Sequence, residues 1–246
     1  MAMERHLSGG FVTEVVRVGD TVRRRPPANA AFVHALLEHL ERQGWEGAPR
    51  FLGVDAQGRE VLSFLEGHVA WARGQPAEVA SDGSLAAVAR LVRQLHDLTA
   101  GTPLAGGAEV VCHNDLSPKN TVYRDTGQGL RPVAFIDWDI AAPGDRLHDL
   151  AHTCWQFLDL GPATADLAGA ARRLRLLCDS YGLDDRTRLV ETLLWWQDRC
   201  WRGIESEAAA GDPAMRRLRD RGAAADVRTA HAWVATHRPQ LEAALG

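Results

Sequence analysis

The 246-residue sequence predicts an α+β fold in two lobes, a small β-rich lobe with one helix followed by a larger, mainly helical lobe. Three observations lead there. Short β-rich runs separated by turn residues fill the first third of the chain. Apolar residues at helical spacing dominate almost everything after Asp145. Between them, short strand and loop pieces at 109–123 and 131–137 carry a cluster of polar residues unlike the rest. The length is enough for a large domain or two modest lobes around a proper core.

The elements follow in order. Residues 11–18, "FVTEVVRV", and 21–25, "TVRRR", read as strands joined by Gly19-Asp20, a hairpin signal, with Pro26-Pro27 ending the second. From 28 to 43 the residues Val33, Leu36, Leu37 and Leu40 recur at helical spacing, and Gly44 stops the helix. "PRFLGVD" and "REVLSFLEG" flank a turn at 55–58 as two further strands. A hinge near 65–67 then divides the chain into a first lobe, 1–66, and a second, 67–246. Residues 84–98 form a helix with Leu85, Val88, Leu91, Val92 and Leu95 on one stripe, and helices are expected at 146–158, 163–180, 185–206 and 213–244.

Composition narrows the function. Hydrophobic residues at 46% and charged residues at 24% are ordinary for a soluble globular protein. A net charge of -4 argues against nucleic-acid binding, which needs a basic face. The opening "MAMERHLSGG" has no apolar run like a signal peptide, and no stretch approaches the roughly 18 apolar residues of a membrane span. Cys112, Cys154, Cys178 and Cys200 form no close pair and read as reduced, mostly buried thiols. The expectation is a cytoplasmic protein, monomeric or weakly dimeric, without nucleic-acid or membrane partners.

The chemistry concentrates in "VCHNDLSPKN", residues 111–120, and "PVAFIDWD", residues 132–139. A turn after a strand presents Asp115 and Asn120 at one edge, and a neighbouring strand delivers Asp137. Two carboxylates and an amide oxygen are hard oxygen donors, suited to Mg²⁺. Magnesium held by so few protein groups keeps waters and binds through nucleotide phosphates, as phosphoryl transfer requires.

"HNDLSPKN" followed by "FIDWD" resembles the aminoglycoside phosphotransferase and choline kinase group, which has the protein-kinase-like fold. The likeness runs through the hairpin, the helix, "VLSFLEG", both motifs and "GDRLHDLAH". It implies a small-molecule O-phosphotransferase using Mg²⁺ and ATP or GTP. By that resemblance Asp115 is the base that accepts the acceptor hydroxyl proton, Asn120 and Asp137 hold Mg²⁺, and His113 braces the loop. Asp149 supports the loop from a helix, and Asp139 either lines the acceptor site or caps the next segment. The chain's single lysine, Lys119, lies four residues after Asp115, whereas protein kinases place one two after; it either meets the γ-phosphate or faces solvent.

The first lobe departs from the family pattern. Its glycine-rich turn can only be Ser8-Gly9-Gly10. No lysine stands on the third strand, so an arginine of "TVRRR" must replace it. Alternation puts Arg23 and Arg25 on one face and Arg24 on the other. Arg23 is favoured, with Glu41 or else Glu38 of the helix as its partner. The nucleotide base would meet the backbone of Phe64, Leu65 and Glu66.

For the acceptor, Trp155, Trp195, Asp159 and Asp198 suit an amine-bearing molecule through cation–π contact and ion pairing. Tryptophans at helical spacing are also ordinary core residues. Antibiotic phosphorylation leads the readings, followed by a kinase of choline, an amino alcohol or a sugar, then a non-catalytic nucleotide binder.

Overall fold

A computed structural model describes residues 4–7, 15–71, 74–127 and 129–246. The expected turn Ser8-Gly9-Gly10 and the start of the strand at 11–14 lie outside those residues. Strands β1 (Arg5–His6), β2 (Val15–Val18), β3 (Thr21–Arg24), β4 (Phe51–Val54) and β5 (Glu60–Ser63) form an antiparallel sheet of order β1-β2-β3-β5-β4. Gly19, at φ 60°, turns β2 into β3 and lets Val18 pair with Thr21. Asp55 closes the β4–β5 turn by accepting the backbone N–H groups of Gln57 and Arg59, each at 3.0 Å. Helix α1 (Ala30–Arg42) buries Val33, Leu36, Leu37 and Leu40, the stripe expected from their spacing.

The chain leaves this sheet after Ser63, and the next strand, β6 (His68–Val69), belongs to a different one. Gly67 makes the crossing feasible: at φ 154° a Cβ there would stand 2.5 Å from Val122 Cγ1 and 2.6 Å from the Tyr123 carbonyl oxygen. Helix α2 (Asp82–Thr99) begins where the Ser81 hydroxyl accepts the Ser84 N–H. Strands β7 (Val110–Cys112), β8 (Thr121–Asp125), β9 (Leu130–Phe135) and β10 (Ala142–Gly144) then form two small sheets, β6-β8-β9 and β7-β10.

Helices α3 (Arg146–Leu158), α4 (Leu167–Tyr181), α5 (Leu189–Ala210), α6 (Pro213–Asp220) and α7 (Ala223–Leu245) complete the chain. The single long helix expected at 213–244 is two, because Gly222 at φ 86° starts α7 afresh after α6. One continuous core runs from Leu36 and Leu62 through Leu85, Phe135, Trp138 and Leu150 to Leu174, Leu189 and Val234. Each fully buried side chain of this size stabilises the fold by about 1.5–3 kcal/mol relative to exposure. The four cysteines are free, three of them buried. No helix among the described residues is long and apolar enough to cross a membrane.

Candidate active site

The loop 113–120 joins β7 to β8, and residues 136–139 follow β9. The two motifs are therefore neighbours because their strands are. Ile136 N–H bonds the Asn120 carbonyl oxygen at 2.9 Å, extending the β8–β9 pairing past its end. His113 and Asn114 complete the connection. Fully buried His113 donates from Nε2 to the Ile136 carbonyl at 3.1 Å, and its ring lies 4.5 Å from Trp138 and 6.0 Å from Phe135. The Asn114 amide donates to the Ile140 carbonyl at 3.0 Å. His113 Nδ1 accepts the Asp115 N–H at 3.3 Å, so both ring nitrogens are occupied.

Asp149 of α3 braces this arrangement from below. Its buried carboxylate accepts the N–H groups of His113 and Asn114, both at 2.7 Å, and His96 Nε2 at 3.2 Å. His96 is held in turn by the Tyr181 hydroxyl at 2.7 Å. Burial alone would raise the Asp149 carboxyl, but the bond and charge of His96, with smaller contributions from His113 and Asn114, hold it below its ordinary value. The bracing offsets strain at Asn114, left-handed at φ 67° without being glycine; Asp137, at φ 68°, is also left-handed and is held by Arg24 instead. Each such residue costs about 1–3 kcal/mol.

Asp115 and Asn120 meet in this loop. Asn120 Nδ2 donates to the Asp115 carboxylate at 2.7 Å and to its carbonyl at 2.9 Å. The Asn120 Oδ1 atom is buried and has no hydrogen-bond partner among the described residues. An orphaned buried oxygen is costly unless something satisfies it. Donor set and orphan together fit a hard divalent cation. Lys119 extends from the same turn, 3.8 Å from the Asp115 carboxylate and about half exposed.

The cation facing these groups is Arg24. Its Nε bonds Glu60 at 2.6 Å, one terminal nitrogen bonds Asp137 at 3.1 Å, and the other bonds Asp139. Arg23, favoured from sequence, lies on the opposite face and pairs with Asp55 at 3.5 Å. The physical reason is strand alternation. Val22 packs on the core two residues before Arg24, opposite buried Leu62 as Arg24 is opposite Glu60. Glu41 does not partner the arginine either; it pairs with Arg50 at 3.4 Å on the exposed side of α1. Glu60, buried and overlooked in the sequence, takes that place. Asp139 lines the cleft, its carboxyl raised by burial and by Asp137 and opposed by Arg24.

At the crossing, Phe64 N–H bonds the Asp20 carbonyl at 2.8 Å, Arg17 covers the Phe64 ring, and the Glu66 carbonyl accepts from Arg124 at 2.8 Å. Glu66 also pairs with Arg17 at 2.7 Å, and Leu65, between Phe64 and Glu66 in the chain, is half-buried.

The proposed acceptor residues do not assemble into one cage. Trp155 belongs to the core. Asp159 ends α3 ten residues beyond Asp149, about 15 Å along the helix, and lines an open cleft of about 430 Å³ with Asp82 and Arg173. On α5, Trp195 is exposed and stacks on His148 at 5.1 Å, with Arg199 5.5 Å from its ring centre. Both carboxylate oxygens of Asp198 accept from Arg202 at 2.8 Å. The same helix packs toward the loop. Trp196 donates to the His148 carbonyl at 2.8 Å and its ring meets His152 at 5.1 Å. His152 in turn bonds the Leu116 carbonyl at 3.1 Å.

Residues 100–194 match the phosphotransferase enzyme family. The trifolitoxin immunity protein of Rhizobium leguminosarum bv. trifolii is 33% identical over 264 aligned positions, covering 97% of each chain. The chain belongs to the phosphotransferase enzyme family. Its fold is shared with solved structures of low identity. An aminoglycoside 2'-phosphotransferase-IIIa in complex with GDP superposes with a TM-score of 0.62 at 12% identity, covering 94% of this chain and 93% of that one. A choline/ethanolamine kinase family protein of Mesorhizobium loti gives 0.57 at 18% identity, covering 95% and 92%. The protein-kinase-like architecture expected from the motifs is the one observed.

Proposed function

We propose that this phosphotransferase moves the γ-phosphoryl group of a nucleoside triphosphate, ATP or GTP, to a hydroxyl of an antibiotic- or toxin-like small molecule. The observation that carries the reading is Asn120. Its amide nitrogen is spent on the Asp115 carboxylate while its oxygen is buried without a partner, an arrangement that a cation completes. Asn120 and Asp137 would hold Mg²⁺, which neutralises phosphate charge when bound. Asp115 accepts the proton of the acceptor hydroxyl as its oxygen bonds to the γ-phosphorus. The bond to the bridging β–γ oxygen breaks, and the nucleoside diphosphate leaves. Arg24, whose terminal nitrogens pair with Asp137 and Asp139 in this structure, would turn them to phosphate oxygens when nucleotide and Mg²⁺ bind, Lys119 meets the transferred group, and Phe64, Leu65 and Glu66 border the base.

The acceptor class rests on the relative named for immunity to a toxin. The surface around Trp195 is compatible with it, and Asp198, the nearby carboxylate, is paired with Arg202 on the exposed face of α5. A second reading, phosphorylation of an amino alcohol, draws on the structural likeness to the choline/ethanolamine kinase family protein. Both are tested by nucleoside diphosphate release from MgATP and MgGTP across toxins, aminoglycosides, peptide antibiotics, choline, amino alcohols and sugars. The expected result is a rate that depends on one acceptor class and falls by at least about 100-fold in Asp115→Ala. Nucleotide binding with no turnover of any acceptor would overturn the reading in favour of a non-catalytic binder.

A further inference from the structure

Arg24 does not take its position alone. The Glu60 side chain is fully buried, and an interior carboxylate is tolerated only when its oxygens are engaged. One oxygen accepts Arg24 Nε at 2.6 Å and the other accepts His34 Nε2 at 2.8 Å. His34 comes from α1, between buried Val33 and Leu36, and its ring stacks on Phe51 of β4 with centres 3.7 Å apart and planes 13° from parallel. That stack sets the ring plane, and the donated Nε2–H sets the tautomer. The acids of α1 are elsewhere: Glu38 is exposed and Glu41 faces Arg50. The helix therefore reaches the cleft through an imidazole and a carboxylate borrowed from β5.

We propose that His34 is a positioning residue for phosphate binding: by holding Glu60 it clamps Arg24 Nε, so that the two terminal guanidinium nitrogens, paired in this structure with Asp137 and Asp139, stay aimed into the cleft. The inference rests on the phosphotransferase reading above. Without the imidazole, one oxygen of a buried carboxylate loses its donor. Glu60 then turns, and once phosphates draw the terminal nitrogens away from Asp137 and Asp139 the guanidinium has no fixed Nε anchor, so binding must order it. Any displacement of α1 reaches Arg24 along the same chain of bonds.

The test separates phosphate recognition from general damage. Binding of fluorescent ATP and GTP analogues with Mg²⁺, and competition by adenosine and guanosine, are measured in wild type, His34→Leu, His34→Gln and Arg24→Ala. His34→Leu is expected to weaken the triphosphate about tenfold, as loss of a hydrogen bond to a charged group does. Nucleoside affinity should stay within about twofold, because no phosphate is involved. His34→Gln, whose amide can donate to Glu60, should recover most of the loss, and Arg24→Ala should reproduce it. If His34→Leu fails to fold, Glu60→Gln carries the same expectation with its volume kept. Equal weakening of nucleoside and triphosphate, or weakening of neither, would overturn the positioning role while leaving the phosphotransferase reading intact. Wild-type protein that binds neither nucleotide would instead overturn that reading, and this inference with it.

Discussion

The loop 113–120 and the α5 turn 195–202 lie on neighbouring elements and are built on opposite principles. The loop's backbone is braced by partners distant in sequence: Asp149 from α3, itself held by His96 from α2, and Ile136 and Ile140 from the segment after β9. On α5 the polar groups pair with one another, Asp198 with Arg202 one turn away and Arg199 with Trp195. Long-range bonds to buried partners make a geometry that cannot change piecemeal. Local surface pairs contribute little and can be replaced singly. The proposed chemistry thus lies on the rigid part, and the proposed acceptor surface on the part that substitution can reshape.

The largest effect that could break this contrast is expected at Asp149. Asp149→Ala leaves the buried N–H groups of His113 and Asn114 unpaired and should cost about 3–5 kcal/mol in urea unfolding. The same carboxyl makes stability depend on pH. Its value in the folded protein is held below the ordinary one, so its contribution is fully present above the usual carboxylate range. It is lost as pH falls through that range toward the folded value. Wild type should therefore lose stability on acidification more steeply than Asp149→Asn. Parallel curves for the two would mean that the loop is held by something other than this charge.

Lys119 tests the rigid region at its exposed end. Its distance of 3.8 Å from Asp115 and its half exposure make it worth less than about 1 kcal/mol to the fold. A group that meets the transferred phosphate matters more to the rate. Lys119→Ala is expected to leave the unfolding midpoint almost unchanged and to lower kcat about tenfold, or about 1.4 kcal/mol of transition-state stabilisation. Unchanged kinetics would make it a solvent-facing lysine.

How much of this was legible in the chain follows from the same contrast. The motif spacing brought Asp115, Asn120 and Asp137 together, because a short loop between two strands leaves few arrangements, whereas Asp149 was reached only through the likeness of "HDLAH" to the family pattern. The choice between Arg23 and Arg24 was open to alternation alone; Val22 and Leu62, the apolar residues on the inward face, were the overlooked signal. Glu60 and His34 were not readable, since their meeting depends on the β3–β5 register and on the rotation of α1 about its axis. The Asp198–Arg202 pair was readable from its four-residue spacing, and it removes Asp198 as a free carboxylate. Arg221 and Gly222 also carried a break in the last helix, hidden by the apolar residues on both sides.

The smallest expected effects lie on α5, where two neighbouring substitutions sharpen the comparison. Trp195→Ala removes an exposed aromatic face already aligned with His148 and should raise the acceptor KM several-fold, about 1 kcal/mol for a lost stacking or cation contact. Asp198→Asn should change the same KM by less than about twofold, because Arg202 already engages both carboxylate oxygens and the exposed charge is screened by solvent. Acceptor kinetics of the two variants at fixed MgATP or MgGTP decide the point. Equal losses would mean that the acceptor displaces Arg202 and takes the Asp198 charge for itself. The helix surface would then be a cation site held shut by its own arginine, and the polycationic antibiotics would regain the weight that the resting geometry takes from them.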